Sequence, residues 1–473
     1  MKHPIVFILF LMTICIGRSA CGTESAKPNI VVIFIDDLGY ADIGPFGATK
    51  QKTPNLDRMA AEGMKLTSFY AAPVCSVSRA QLLTGCYGVR VSVPAVFFPG
   101  NAIGLHPAEV TIAERLKELG YATACVGKWH LGDQPEFLPM KQGFDRYFGI
   151  PYSNDMQKKP LGGIERVSPL LRDDKVVELL TDEQQSRIVE RYTNEATEII
   201  RENKDRPFFL YFPHSAVHTP IHPGEAFRGK SANGRFGDWV EEVDWSVGRV
   251  LETLRELKLD EKTLVLFTSD NGPWLTKGSD GGSALPLRGG KGSTWEGGVR
   301  VPTIARWPGK IKPGSQCDAV AGTIDLMPTA VSLAGGSIPI DSVIDGRDIS
   351  PLLLGTSNVS QREAHYYFSG YKLQAVRQGP WKLALTMQPE PHLKQSKSDA
   401  MTNPRLYNID TGIGEQTNLA EEHPEIVSRL TALADKINTE IGGENPTSRR
   451  PAGLVSNPST LYPMEEEKPK PKP

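Results

Sequence analysis

Seven residues, Asn29-Ile-Val-Val-Ile-Phe-Ile35, run without a polar break into Asp36-Asp37, and no other feature limits the fold as strongly. An unbroken, β-branched apolar run bounded by polar residues is the pattern of a strand covered on both faces. Such strands belong to parallel sheets with helices on each side. Three further segments repeat the pattern. Thr263-Leu-Val-Leu-Phe-Thr268 runs into Ser269-Asp270-Asn271-Gly272, and Pro207-Phe-Phe-Leu-Tyr-Phe212 into Pro213 and a group of histidines. Tyr121-Ala-Thr-Ala-Cys-Val126 ends at Gly127-Lys128-Trp129-His130. Between them, Ser186 to Asn203 places Ile188, Val189, Tyr192, Ala196, Ile199 and Ile200 on one helical face. Asp238 to Lys258 does the same with Trp239, Val240, Val243, Val247, Val250, Leu251 and Leu254. Buried strands alternating with amphipathic helices predict an α/β layer architecture.

The polar residues fall at the strand ends, where open α/β sheets bind their ligands. Any one of these ends reads equally well as a solvated turn; four at once argue for a site. Asp36, Asp37, Asp270 and Asn271 offer oxygen ligands only, a set suited to a hard cation, Ca2+ or Mg2+. Without a cation, clustered carboxylates would push each other's pKa upward.

At 473 residues the chain is longer than one core supports, so a large and a small domain are expected. The boundaries read as 27–355 for a catalytic domain and 356–441 for a small α+β domain. The latter has short antiparallel strands around Tyr366 to Phe368, Leu373 to Arg377, Trp381 to Leu385 and Leu406 to Ile409, then a helix from His423 to Asn438. From 442 to 473, proline and charge predict a disordered tail. Residues 1–21 read as a signal peptide for export, with a buried N-terminal helix as the plainer alternative. Cys21 raises lipid attachment, against which Arg18 stands where an apolar residue is usual. No other stretch is long and apolar enough for a transmembrane span. A formal net charge of -2 excludes the basic excess of a nucleic-acid binder. Cys75, Cys86, Cys125 and Cys317 match no zinc spacing, and no disulfide is predicted among them.

Cys75-Ser-Val-Ser-Arg-Ala-Gln-Leu-Leu-Thr-Gly85 carries the most chemistry. A cysteine at a helix N-terminus with Arg79 one turn on is expected to have a lowered pKa. On local features alone, a buried structural cysteine is an equal reading. The segment resembles the sulfatase signature, Cys-x-Pro-x-Arg followed by a Leu-Thr-Gly helix, whose cysteine is oxidised to formylglycine. Asp36-Asp37, Gly127-Lys-Trp-His-Leu-Gly132, Asp270-Asn-Gly272, Gly290-Lys-Gly-Ser-Thr-Trp-Glu-Gly-Gly298 and Arg377-Gln-Gly-Pro-Trp-Lys-Leu383 resemble landmarks of that family in its order. The arylsulfatase A and N-acetylgalactosamine-6-sulfatase branch is the most similar. Val77 stands where Pro or Ala is usual and Cys86 where Arg is usual, both within the element that the modifying enzyme reads.

The resemblance implies an alkaline-phosphatase-like large mixed sheet flanked by helices, with a smaller C-terminal antiparallel sheet and helix. It implies hydrolysis of sulfate esters, of sulfated carbohydrate or an aryl sulfate, through a covalent sulfated intermediate on residue 75. Asp36, Asp37, Asp270, Asn271 and the modified Cys75 would hold one Ca2+ or Mg2+. Arg79 and Lys128 would steady the hydrated aldehyde and His130 would be its base. His218 and Lys291 would bind sulfate and protonate the leaving oxygen, with Lys128 and Ser153 also touching sulfate. A formylglycine-generating enzyme is the implied partner. His214 and His222 read as supporting or merely structural, His106, His365, His392 and His423 as loop or surface residues, and Trp129 and Trp295 as packing. Specificity is expected in 91–105, 154–173 and 278–287. Two alternatives remain: a phosphonate or phosphodiester hydrolase of the same superfamily, and a non-catalytic glycan binder in which Cys75 stays a thiol.

Overall fold

A computed structural model describes residues 27–390, 392–393 and 403–465. The expected signal segment, Cys21 and residues 466–473 lie outside them. Ten strands form the large sheet. In chain order they are β1 (Asn29–Ile35), β2 (Met64–Leu66), β3 (Ala122–Val126), β4 (Arg146–Gly149), β5 (Ser168–Arg172), β6 (Lys175–Leu180), β7 (Phe208–Pro213), β8 (Thr263–Ser269), β9 (Thr303–Arg306) and β10 (Ser315–Cys317). Their order across the sheet is β10-β2-β9-β8-β1-β7-β3-β4-β5-β6. The five central strands, β8 to β4, are mutually parallel, and antiparallel pairs flank them on both sides.

All seven residues of β1 and of β8 are buried, as unbroken apolar runs require when helices cover both faces. On one face lie α2 (Ile188–Glu202) and α3 (Gly234–Glu256), with Tyr192, Ile199, Val243 and Val247 packed on Val31, Ile33 and Phe267. On the other lies α1 (Cys75–Thr84), all ten of whose residues are buried.

The short edge strands β2, β9 and β10 were not legible in the sequence, because three or four residues carry no period. The second sheet comprises β11 (His365–Ser369), β12 (Lys372–Gln378), β13 (Trp381–Ala384) and β14 (Arg405–Asn408), antiparallel throughout. With α4 (Pro424–Glu440) it encloses its own apolar cluster, which takes in Tyr87, Val89 and Ile324 of the large domain.

The expectation of disorder from residue 442 onward does not hold through Glu465. Gly453–Leu454 pairs antiparallel with Ile103–Gly104, the Arg450 amide donates to Arg90 O at 2.7 Å, and Tyr462 is buried. This segment borrows backbone partners and one aromatic anchor from the large domain, which a count of its own apolar residues could not show.

Gly127 carries the chain from β3 into the site. Its φ is +131°, and a Cβ there would sit 1.8 Å from Pro213 O. Gly127→Ala is expected to destabilise the fold by about 2–4 kcal/mol, measured as a lower urea midpoint.

Candidate active site

The parallel strands bring their C-terminal ends to one point. Asp36 and Asp37 follow β1, Lys128 and His130 follow β3, Ser153 follows β4, His218 follows β7, and Asp270 and Asn271 follow β8. Cys75 opens α1, with Arg79 one turn further on. Lys291 enters from the loop before β9. The sequence-predicted set thus converges, and all of it is buried except Lys291, which is partly open at the rim. Asp37 and His130 adopt left-handed backbone, φ 58° and 61°, a strain that clusters at functional positions.

Asp36 lies between Cys75 and the cations. Cys75 Sγ is 3.4 Å from Asp36 Oδ1, and Lys128 Nζ donates to Asp36 Oδ2. Arg79 donates to Asp270 Oδ2 at 2.8 Å and to Lys128 O at 2.5 Å, and lies 3.7 Å from Asp36. Lys291 Nζ sits 2.7 and 2.8 Å from the two Asp37 oxygens, and Asn271 Nδ2 donates to Asp37 Oδ1 at 2.7 Å. Lys128 also donates to Ser153 Oγ at 3.2 Å, and Ser153 Oγ is 3.4 Å from the His218 ring nitrogens.

The electrostatics follow from burial and these pairs. Burial alone would raise the Asp36 carboxyl, but Lys128, His218, Arg79 and Lys291 outweigh it and hold it well below the usual range. Asp270 goes the other way, pushed up to about 7 by burial and by Asp36, against the pull of Arg79. The thiol departs from expectation. Burial, with Asp270 and Asp36 close by, pushes Cys75 well above the ordinary thiol value, and the helix terminus does not offset them. Arg79 spends its charge on the carboxylates, so it is no counter-ion for a thiolate. An unmodified Cys75 is therefore a poor nucleophile here.

His130 is buried, and burial with Lys128 and Arg79 nearby holds it neutral, well below its ordinary value. Its Nε2 lies 3.0 Å from Phe97 O, which fixes the proton there, and its Nδ1 is buried with no hydrogen-bond partner. That leaves the Nδ1 lone pair unengaged, placed to accept a proton from a neighbouring group. His218 Nδ1 is 2.6 Å from Thr219 O, which turns Nε2 toward Asp37 at 3.6 Å.

Two observations say that a cation suits this donor set. Asn271 Oδ1 is buried without a partner, and three carboxylates crowd together until Asp270 is driven toward neutrality. Asp36, Asp37, Cys75 and His218 each place a donor atom within 4.8 Å of the others. The oxygen-rich set of Asp36, Asp37, Asp270 and Asn271 fits a hard divalent ion. The formal charges of Asp36, Asp37 and Asp270 cancel those of Arg79, Lys128 and Lys291, so a divalent ion would leave the pocket cationic.

Residues 28–337 match the sulfatase family, and residues 360–458 match the C-terminal region of aryl-sulfatase. The chain belongs to the sulfatase family. Arylsulfatase A of Homo sapiens is 40% identical over 453 residues, 88% of each chain. N-acetylgalactosamine-6-sulfatase of Canis lupus familiaris is 40% identical over 394 residues, 79% of this chain and 74% of its own. Among solved structures, the PsFucS1 sulfatase from Pseudoalteromonas sp. superposes with a TM-score of 0.80 at 28% identity, over 90% of this chain and 92% of that one. This sulfatase is accordingly a sulfuric ester hydrolase with the alkaline-phosphatase-like fold.

Other expectations resolve more simply. The sulfatase buries Trp129 and Trp295 as packing residues. His214 is buried against Phe212, Tyr192 and Ser246, away from the cluster, and His222 lies beside Asp182 and Trp239. His365, expected at the surface, is buried on β11 with its ring centroid 4.6 Å from that of Tyr70. It belongs to the contact between the two sheets, which the sequence does not reveal. One residue at the site was missed. Trp274, half-buried, lies with its ring centroid 5.2 Å from that of His218 and 4.4 Å from Lys291 Nζ. Its position directly after Asp270-Asn-Gly-Pro273 was the available signal.

Proposed function

We propose that this sulfatase hydrolyses the sulfate esters of sulfated carbohydrates, using residue 75 after conversion of its thiol to formylglycine. The observation that carries the reading is the position of Cys75, at the start of a buried helix, 3.4 Å from Asp36 and among three carboxylates. As a thiol the residue is held neutral there. As a hydrated aldehyde it offers two hydroxyls on one carbon, one to accept the sulfuryl group and one whose deprotonation expels sulfate. Asp36, Asp37, Asp270 and Asn271 would hold one Ca2+ or Mg2+. When bound, that ion would polarise sulfate oxygens and supply positive charge that the residues themselves cancel.

The chain's own groups divide the remaining work. Lys128 and Arg79 hold Asp36 ionised, and Arg79 fixes Asp270 in place. His130 Nδ1, neutral and unpartnered, takes the proton from the second hydroxyl of residue 75. His218 and Lys291 bind the sulfate and face the leaving oxygen, with the Lys291 ammonium as proton donor. Asp37 at 2.7 Å keeps that ammonium charged. Ser153, between Lys128 and His218, completes the oxyanion contacts. A carbohydrate substrate is supported by the name of one relative, an N-acetylgalactosamine-6-sulfatase. Export, with a formylglycine-generating enzyme met on the way, is supported by the basic and then apolar sequence of residues 1–21. Among the described residues no helix is long and apolar enough to cross a membrane.

The test is sulfate release from an aryl sulfate by wild type and Cys75→Ala, each with and without a calcium chelator. Removing the cation is expected to lower the rate by at least about 100-fold, reversibly on adding Ca2+. Cys75→Ala is expected to show no turnover. Undiminished activity in either case, or faster cleavage of a phosphonate monoester than of every sulfate ester, would overturn the proposal.

A further inference from the structure

Beside the sulfate-binding pair, the fold holds a positive charge that the reaction does not use. The chain leaves Asn271 through Gly272 and Pro273 to Trp274, whose indole lies against His218 and under the Lys291 ammonium. From Trp274 the chain turns at once. The Lys277 amide donates to Trp274 O at 2.9 Å, which opens the 3-10 segment Leu275–Asp280 and folds the lysine back over the same ring. Lys277 Nζ lies 4.2 Å from the ring centroid.

The two ammonium groups on this ring differ in their company. Lys291 is neutralised by Asp37 at 2.7 Å and is partly closed off. Lys277 is exposed, and among the described residues its partner is the indole. Both ammonium groups lie over the one ring, Lys277 Nζ at 4.2 Å and Lys291 Nζ at 4.4 Å from its centroid. They are then no further apart than their two distances to the ring added together, a span that one sugar ring and its substituents can bridge. The inner cation faces the ester to be cleaved. The outer one pairs with no carboxylate among the described residues and is open to solvent.

We propose that Trp274 and Lys277 form an outer anion subsite, which takes a second anionic group of the substrate, a carboxylate or another sulfate on the sugar that departs. This rests on the reading of His218 and Lys291 as the sulfate-binding pair. In it, Trp274 holds both cations against one ring and so limits their spacing, and Lys277 selects saccharides that carry at least two negative groups. The charge balance agrees, because a net charge of -2 gives no overall attraction for a polyanion, which favours recognition by a local cation.

The test compares N-acetylgalactosamine 6-sulfate with N-acetylgalactosamine 4,6-disulfate on wild type, Lys277→Ala and Lys277→Arg. In wild type the disulfate is expected to have the higher kcat/KM, an advantage that shrinks with added salt. In Lys277→Ala the ratio of the two kcat/KM values should fall about tenfold, through KM, and Lys277→Arg should restore it. The same ligands are titrated by calorimetry against Cys75→Ala and Cys75→Ala/Lys277→Ala, which reads binding without turnover. Turnover failing in wild type while the disulfate binds more tightly through Lys277 would sink the catalytic reading and leave the subsite standing. No disulfate advantage in either assay, or one that survives loss of Lys277, would overturn the subsite.

Discussion

Cys75→Ser is expected to react once and stop. Serine at position 75 would occupy the place of the thiol at the start of α1, 3.4 Å from Asp36 in the parent side chain, and is no substrate for oxidation to the aldehyde by cysteine chemistry. Its single hydroxyl can accept the sulfuryl group and release the alcohol, because the first half of the reaction needs only one oxygen nucleophile. In the proposed reaction the second half needs a second hydroxyl on the same carbon, whose deprotonation by His130 would expel sulfate. Serine has none, so the sulfate ester it forms has no internal group to expel it. The expected record is a burst of at most one phenol per protein from an aryl sulfate, then a steady rate lower by on the order of 10^3 or more. Intact mass should rise by one sulfuryl group, localised to the peptide carrying residue 75. Sustained turnover by the serine variant would show that a simple hydroxyl suffices. If wild-type protein from its native host kept an intact thiol at Cys75, a non-catalytic glycan binder would become the better account.

Much of this site was legible because its parts are ordered by the strands. β1, β3, β7 and β8 announce themselves as unbroken apolar runs, and in a parallel sheet their ends must meet. Asp36, Lys128 and Asp270 could therefore be grouped although they lie far apart in sequence. What remained hidden depends on contacts that no run announces. The thiol of Cys75 was expected to be acidic from its helix terminus and from Arg79. In the folded chain Asp36 and Asp270 arrive from strands far along the sequence, take Arg79 for themselves, and reverse the direction. Trp274 and Lys277 sit in a turn too short for periodicity to mark. The strap from 443 to 465 is held by partners in a different domain.

The contact between the small sheet and the loop before β9 was hidden for the same reason, and Lys382 in β13 lies at it. Its ammonium is fully buried, 2.8 Å from Thr294 O, 3.1 Å from Glu296 Oε1 and 2.7 Å from Glu415 Oε1. Glu415 in turn accepts from the Glu296 amide at 2.7 Å, and Tyr367 donates to Glu296 at 3.0 Å. Thr294 and Glu296 belong to the segment that carries Lys291, so the small sheet grips that loop from behind. Lys382→Met keeps the length of the side chain and removes the charge, which leaves Glu415 buried without its cation, while Glu296 keeps Arg300 and Arg377 beside it. Breaking a buried pair on one side costs about 3–5 kcal/mol, a large share of a total stability of roughly 5–15 kcal/mol. The variant is expected to unfold at a markedly lower denaturant midpoint, and kcat should fall as the grip on Lys291 loosens.

The loss should also depend on pH. Burial raises the Glu415 carboxyl to about 7 from an ordinary 4.5 even with Lys382 present. The folded form thus holds this proton more tightly than the unfolded chain. Stability tied to it is fully present below the ordinary value and is lost as pH climbs through about 7. Without Lys382 the proton is held more tightly still, so the variant should weaken more steeply than wild type as pH rises from about 5 to 8. Unfolding midpoints measured across that range decide the matter. A variant that parallels wild type at every pH would mean that the carboxylates find other partners, and that Lys382 fills space without holding the loop.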